Sequence, residues 1–180
     1  MKRIIISVLC VLLVASSLAF GFDLTAGSMG LYNAVQKWYV FRTGNTLSPD
    51  TVAYISLSIS YASHRFNVPA DLIAGIIAEN SSFDPNAKLE DCMGLMLISQ
   101  GTAKTMISIW NLPQGNIYEI WYNILYGTAY LRYLGDLYSN LKGTDKWEEA
   151  IIRHYFNINS DLSLKYYNKV EQDITLMELW

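Results

Sequence analysis

An all-α domain is what this sequence predicts, and three observations predict it. Alternation of apolar and polar residues is nearly absent. Apolar residues recur instead at helical spacing, as in Leu72, Ile73, Ile76 and Ile77. Residues suited to opening a helix, such as Ser48 with Pro49 and Ser99, stand ahead of those runs. Seven helices with short connections leave a ligand site in a cleft between helices.

The elements follow in order. Met1, Lys2 and Arg3 precede an uncharged run from Ile4 to Phe22, with small residues at Ala19 and Gly21. This reads as a signal peptide over residues 1–21, cut after Gly21. The alternative is an uncleaved anchor, because ~20 apolar residues are enough to span a bilayer. Cys10 follows Leu9 rather than a small residue, which argues against a lipid-anchored cysteine. Residues 22–180 then form a single exported domain, in the periplasm or cell envelope. The spacing predicts a first helix over 28–42 and a second from the Ser48–Pro49 cap to about Phe66. Pro69 opens a third, to about Asn80. Ser99 caps a fourth, to about Ile109. A long fifth helix runs from about Ile117 to Leu141, with Trp121, Ile124, Leu125, Tyr130, Leu131 and Leu134 as packing residues. Asp145 caps a sixth, to about Phe156, and Ser160 or Asp161 a seventh, to about Leu176.

Composition narrows the function. About 160 residues after the leader suffice for one domain with a real core. No long linker, repeat or low-complexity tract interrupts it. Removing Lys2 and Arg3 takes the formal charge from -3 to -5, which argues against a nucleic-acid partner. Only Cys92 survives the cut, so no intramolecular disulfide forms, and it reads as a small buried residue. His64, His154 and Cys92 make no metal pattern. No phosphate-binding glycine loop or Ser-His-Asp arrangement is present. No metal or cofactor is expected. The 13 Tyr and 5 Trp suit a sugar cleft and a helical core equally.

Residues 74–96 read AGIIAENSSFDPNAKLEDCMGLM. An apolar helix ends there on Glu79 and Asn80. Ser81, Phe83, Pro85, Asn86, Ala87 and then Gly94, Leu95 and Met96 follow. Thr102 with Ala103, the set Asn123, Ile124, Gly127, Tyr130 and Leu131, and the stretch Ala150 to Tyr155 continue the pattern. Together these resemble the lytic transglycosylases, a lysozyme-like family with the motifs E-S-x-F-x-P-x-A, G-L-M-Q and N-I-x-x-G-x-x-Y-L. The resemblance covers roughly residues 55 to 170. It implies a lysozyme-like fold and cleavage of the β-1,4 bond between N-acetylmuramic acid and N-acetylglucosamine, leaving 1,6-anhydro ends. The partner it implies is the glycan strand of peptidoglycan, with the membrane involved only through the leader or anchor.

Such cleavage needs a carboxylic acid to protonate the leaving oxygen. As the family works, one acid suffices. Glu79 is the candidate for that acid, with Asn80, Ser81, Met96, Asn123 and Tyr155 as candidate substrate contacts. The pattern departs where chemistry is done. Counting back from Phe83, the family's glutamate position holds Asn80, and Glu79 lies one place earlier. Leu97 replaces the glutamine of G-L-M-Q, Gln100 replaces a proline, and the tyrosine-asparagine pair reads Tyr155, Phe156, Asn157. At 100° per residue, Asn80 continues the apolar stripe while Glu79 lies about 90° aside. Either a bulge or tightened turn rotates Glu79 into the cleft, or the domain binds glycan or scaffolds an envelope complex without cutting. A third reading is a hydrolytic lysozyme using Asp84, Glu90 or Asp91, although loop carboxylates usually stay in water.

Overall fold

The computed structural model describes residues 24–139, Trp147, Ala150 and residues 161–178. Among these, the all-α expectation holds. The helices are α1 (Leu24–Thr43), α2 (Pro49–Phe66), α3 (Ala70–Ser81), α4 (Gln100–Trp110), α5 (Ile120–Leu137) and α6 (Asp161–Glu178). Trp147 and Ala150 are helical as expected; the rest of the helix placed at 145–156 lies outside the described residues, as does the Ile4–Phe22 run. No described helix is long and apolar enough to cross a membrane.

Local chemistry explains the boundaries. Ser48 accepts a hydrogen bond from the Thr51 amide at 3.2 Å, with Pro49 at the first helical position. Ser99 caps α4 in the same way through the Thr102 amide at 3.1 Å. α5 begins three residues later than its apolar pattern. Asn116 accepts from the Tyr118 amide with its side chain and from the Glu119 amide with its carbonyl, closing a turn first. Asn67 and Asn111 end α2 and α4 in the left-handed region, φ 50° and 48°, which asparagine tolerates better than most side chains.

α3 is the central rod, since every residue from Leu72 to Ala78 is buried. A helix apolar all round has to be enclosed. α6 encloses one side. Gly75 faces Val170 and Ile174 of α6, and a methyl there would come within 2.6 Å of Ile174 Cγ1. Asn80, further along α3, meets Tyr166, earlier in α6, so the two helices run antiparallel. Ile55 and Ile59 of α2, Val35 and Trp38 of α1, and Ile124 and Leu131 of α5 complete the core. Of the residues expected to pack on α5, Ile124, Leu125, Leu131 and Leu134 are buried. Trp121 is half-buried and lies against the Tyr61 ring at 4.6 Å.

A small antiparallel sheet joins α3 to α4: β1 (Lys88–Leu89), β2 (Cys92–Met93) and β3 (Ile98–Ser99), paired in that order. Two-residue strands are too short to show alternation in a sequence. Their effect is positional, because the β2–β3 connection carries Gly94, Leu95 and Met96 back to the end of α3. Gly94 has φ +75° and lies against the Asn123 amide, so both its backbone and its surroundings exclude a side chain.

Met96 is fully buried and its side chain lies on Gly127 of α5. A methyl on Gly127 would collide with the Met96 sulfur and approach Met96 Cβ to 2.8 Å. Overpacking of this kind destabilises by roughly 1–3 kcal/mol. Gly127→Ala is therefore expected to lower the urea midpoint, despite the better helix propensity of alanine. An unchanged or raised midpoint would show that the turn does not rest on α5.

Candidate active site at the end of α3

The last turn of α3 is regular. The Ser82 amide donates to the Ala78 carbonyl at 2.9 Å, the ordinary four-residue step. No bulge or tightening rotates Glu79. The chain then leaves through two consecutive left-handed residues, Ser82 at φ 49° and Phe83 at φ 62°. Each is uncommon for a residue with a side chain. Phe83 is fully buried, with its ring 5.2 Å from that of Trp38 in an edge-to-face arrangement.

With a regular helix, Glu79 and Asn80 point in different directions. Asn80 lies between α6 and the Gly94–Met96 turn. Its Oδ1 accepts from the Tyr166 hydroxyl at 2.7 Å, and its Nδ2 donates to the Met96 carbonyl at 3.1 Å. Glu79 lies to the side, where its Oε1 accepts from Lys169 Nζ at 2.7 Å. The Glu79 side chain is 16% exposed and that of Lys169 61%, so the pair sits at a solvent edge. That carboxylate oxygen acts as an acceptor, whereas acid catalysis needs a donor.

The polar contacts continue inward. The Met96 amide donates to Asn123 Oδ1 at 2.8 Å, and Asn123 Nδ2 donates to the Met93 and Ile117 carbonyls at 2.8 and 2.9 Å. Asn123 is 1% exposed. The expected sugar contact is thus a buried brace that fastens the turn to the start of α5. The Met96 side chain is buried as well, so what it offers the corner is its carbonyl. Ser81 is half-buried, and its hydroxyl donates back to the Ile77 carbonyl at 2.9 Å, a helix-internal bond. Tyr155 lies outside the described residues. Among the described residues, the tyrosine bonded to the end of α3 is Tyr166, which sequence reasoning missed, and Lys169 was missed with it. A signal existed: Tyr166, Val170, Asp173 and Met177 recur at helical spacing, and all four are buried.

Asp84, Glu90 and Asp91 are exposed, and Asp84 Oδ1 accepts from the Asn86 amide at 2.9 Å. Cys92 is half-buried on β2. Burial, and then the Asp91 and Glu90 charges, push its thiol above the ordinary value, which makes it a poor nucleophile near neutral pH. The described residues contain no group of three metal-ligating side chains.

The family model for the transglycosylase SLT domain matches residues 58–169. Membrane-bound lytic murein transglycosylase C of Edwardsiella ictaluri (strain 93-146) is 34% identical over 101 residues, covering 52% of this chain and 28% of its own. Membrane-bound lytic murein transglycosylase E of Buchnera aphidicola subsp. Acyrthosiphon pisum (strain APS) is 30% identical over 121 residues, covering 64% of this chain and 54% of its own. The chain thus spans between about a quarter and about half of the length of these relatives. A solved complex of the 70-kDa soluble lytic transglycosylase with bulgecin A aligns with 86% of this chain and 26% of its own, at 16% identity and a TM-score of 0.45.

The brace and the corner differ in what their loss exposes. Asn123→Ala strands the Met96 amide and two carbonyls in the interior, and each such group costs about 1–3 kcal/mol. Tyr166→Phe removes one hydroxyl from Asn80, about 0.5–1.5 kcal/mol. Urea unfolding is expected to show a loss at least twice as large for Asn123→Ala. Equal losses would contradict the brace.

Proposed function

Because the chain belongs to the transglycosylase SLT domain family, we propose that it acts on the glycan strands of peptidoglycan as a lytic transglycosylase, with Glu79 as the acid. The observation that carries this reading is the polar corner at the end of α3. Glu79 and Asn80 are the partly exposed polar end of a helix whose preceding residues are buried, and Tyr166 and the Met96 carbonyl converge on Asn80. The cell envelope is the proposed location, reached by way of the leader at residues 1–21, and the names of the two curated relatives support that location.

In the proposed reaction, Glu79 gives a proton to the glycosidic oxygen as the bond from that oxygen to the anomeric carbon breaks. The 6-hydroxyl of the same N-acetylmuramic acid residue closes onto the anomeric carbon, and its proton returns to the Glu79 carboxylate. Bonds and protons balance, and no water is consumed. Intramolecular closure needs little extra ordering. Inverting hydrolysis would need a second carboxylate ~6.5–9.5 Å from the first, to activate water. Glu79 must first leave Lys169. An ion pair with one largely exposed partner contributes ~1 kcal/mol or less, so substrate contacts can replace it.

Asn80 favours a second reading, that of a domain which holds a glycan strand without cutting it. It occupies the family's glutamate position, and an amide has no acidic proton to give. Asn80 Nδ2 carries a second hydrogen beyond the one directed at Met96. That hydrogen can bond to a sugar oxygen and leave the glycosidic bond intact.

Digestion of purified sacculi by the mature protein, read by mass spectrometry, separates the two. Catalysis by Glu79 predicts muropeptides one water lighter than reducing ends, and a fall of at least ~100-fold in Glu79→Gln. Retention on sacculi without release would favour the holding domain, and gain of cleavage in Asn80→Glu would locate the missing proton. Reducing ends alone would mean hydrolysis and bring the loop carboxylates back.

A further inference from the structure

A buried carboxylate lies one helical turn beyond Lys169. Asp173 of α6 is 1% exposed. Its Oδ1 accepts from the Trp38 indole Nε1 at 3.0 Å and lies 3.5 Å from Arg42 Nη2, both on α1. Its Oδ2 is buried with no hydrogen-bond partner among the described residues. Trp38 is itself 1% exposed, Arg42 lies over its ring at 5.7 Å, and the same ring meets Phe83 edge to face. Phe83 holds one of the two left-handed backbone positions through which the chain leaves α3. Asp173, Trp38 and Phe83 therefore form a strut from α6, through α1, to the residue that fixes the end of α3. Trp38, Arg42 and Asp173 all lie outside residues 58–169, the span matched by the family model.

We propose that Asp173 is a positioning residue, which holds the Trp38 indole and through it the Phe83 turn that sets the Glu79–Asn80 corner. The value of this strut to function rests on the reading of that corner as the glycan site; its mechanics do not. The two left-handed residues are unfavourable by about 1–2 kcal/mol each, and they persist where surrounding contacts over-determine them. Trp38 supplies such a contact, and a tryptophan gripped at its N–H cannot tilt freely. A neutral Asp173 still accepts from the indole, but more weakly, since a charged acceptor roughly doubles the strength of such a bond. The grip therefore tightens when Asp173 ionises.

Among the described residues, the charged groups that act on Asp173 come from three helices: Arg42 from α1, Glu79 from α3 and Lys169 from α6. Burial is the main influence and raises its pKa. The Trp38 hydrogen bond and Arg42 oppose this, the Glu79 charge adds to it, and Lys169 opposes it, for a net rise above the ordinary aspartate value. The sign follows. A carboxyl with a raised pKa in the folded state stabilises most below its unfolded value, and this contribution is lost as pH rises through its folded value. Over that window the carboxyl loses its proton and takes a firmer hold of Trp38, at some expense of overall stability.

A pH titration of the mature protein by 15N NMR tests this without any need for activity. The Trp38 indole resonance and the Ser82 and Phe83 amides are expected to shift with one shared midpoint, above the ordinary aspartate value. All three shifts at that midpoint should vanish in Asp173→Asn, which keeps an acceptor for the indole. Ser82 and Phe83 amides that stay flat across the Trp38 midpoint would overturn the strut. A flat Trp38 indole would overturn it too, as would a shift at that midpoint that survives in Asp173→Asn. Should Asp173→Asn not fold, Trp38→Phe decides: it keeps an aromatic ring against Phe83 and removes the N–H. The proposal then requires the Ser82 and Phe83 shifts at that midpoint to shrink by more than half, and a smaller reduction overturns it.

Discussion

The corner at the end of α3 depends on one chain of hydrogen bonds. The Tyr166 hydroxyl donates to Asn80, Asn80 to the Met96 carbonyl, the Met96 amide to Asn123, and Asn123 to the carbonyls of Met93 and Ile117. Each link joins a different part of the fold: α6, α3, the β2–β3 turn and the start of α5. These groups sit against an apolar core, where an unpaired polar atom is expensive. The pairing is therefore a constraint as well as a stabilising contact. Asn80 can do this because an amide both donates and accepts. An ionised glutamate in its place could accept from Tyr166 but could not donate to Met96, and only its protonated form offers both.

That asymmetry gives the register of Glu79 and Asn80 its meaning. A neutral residue is built into the corner, and the carboxylate stands one helical step aside, paired with Lys169 at the solvent edge. The same core that fixes Asn80 prevents the helix from rotating to exchange them, because Gly75 is closely packed against Ile174 and Val170 one turn earlier. In the proposed reaction Glu79 has to leave Lys169 before it can give a proton. On that proposal, the choice between cutting a glycan and holding it turns on the movement of one side chain.

Much of this was legible in the sequence. The stripe Leu72, Ile73, Ile76 and Ile77 marked α3 as a core helix, and Ser48 and Ser99 marked two helix starts through ordinary capping chemistry. The turn motif Gly94–Met96 and the separation of Asn80 from Glu79 by one helical step were also readable. Contacts between distant segments were not. Tyr166 lies 86 residues from Asn80, and the stripe it shares with Val170 and Met177 marks it as buried without naming its partner. Asn123 has the composition of a sugar ligand, and only the approach of Gly94 and Met96 shows that its amide is fully engaged. Asp173 falls on the same stripe, but only the approach of α1 shows that Trp38 and Arg42 meet its carboxyl. Helix starts are written in neighbouring residues, whereas burial is decided by partners far along the chain.

The most direct test of the central claim is a crystal structure of the mature domain with an oligosaccharide of alternating N-acetylglucosamine and N-acetylmuramic acid. The account predicts a glycosidic oxygen within hydrogen-bonding distance, ~2.7–3.2 Å, of the Glu79–Asn80 corner, with Tyr166 still bound to Asn80. A glycan seated on another face, with the corner unchanged and unoccupied, would contradict it.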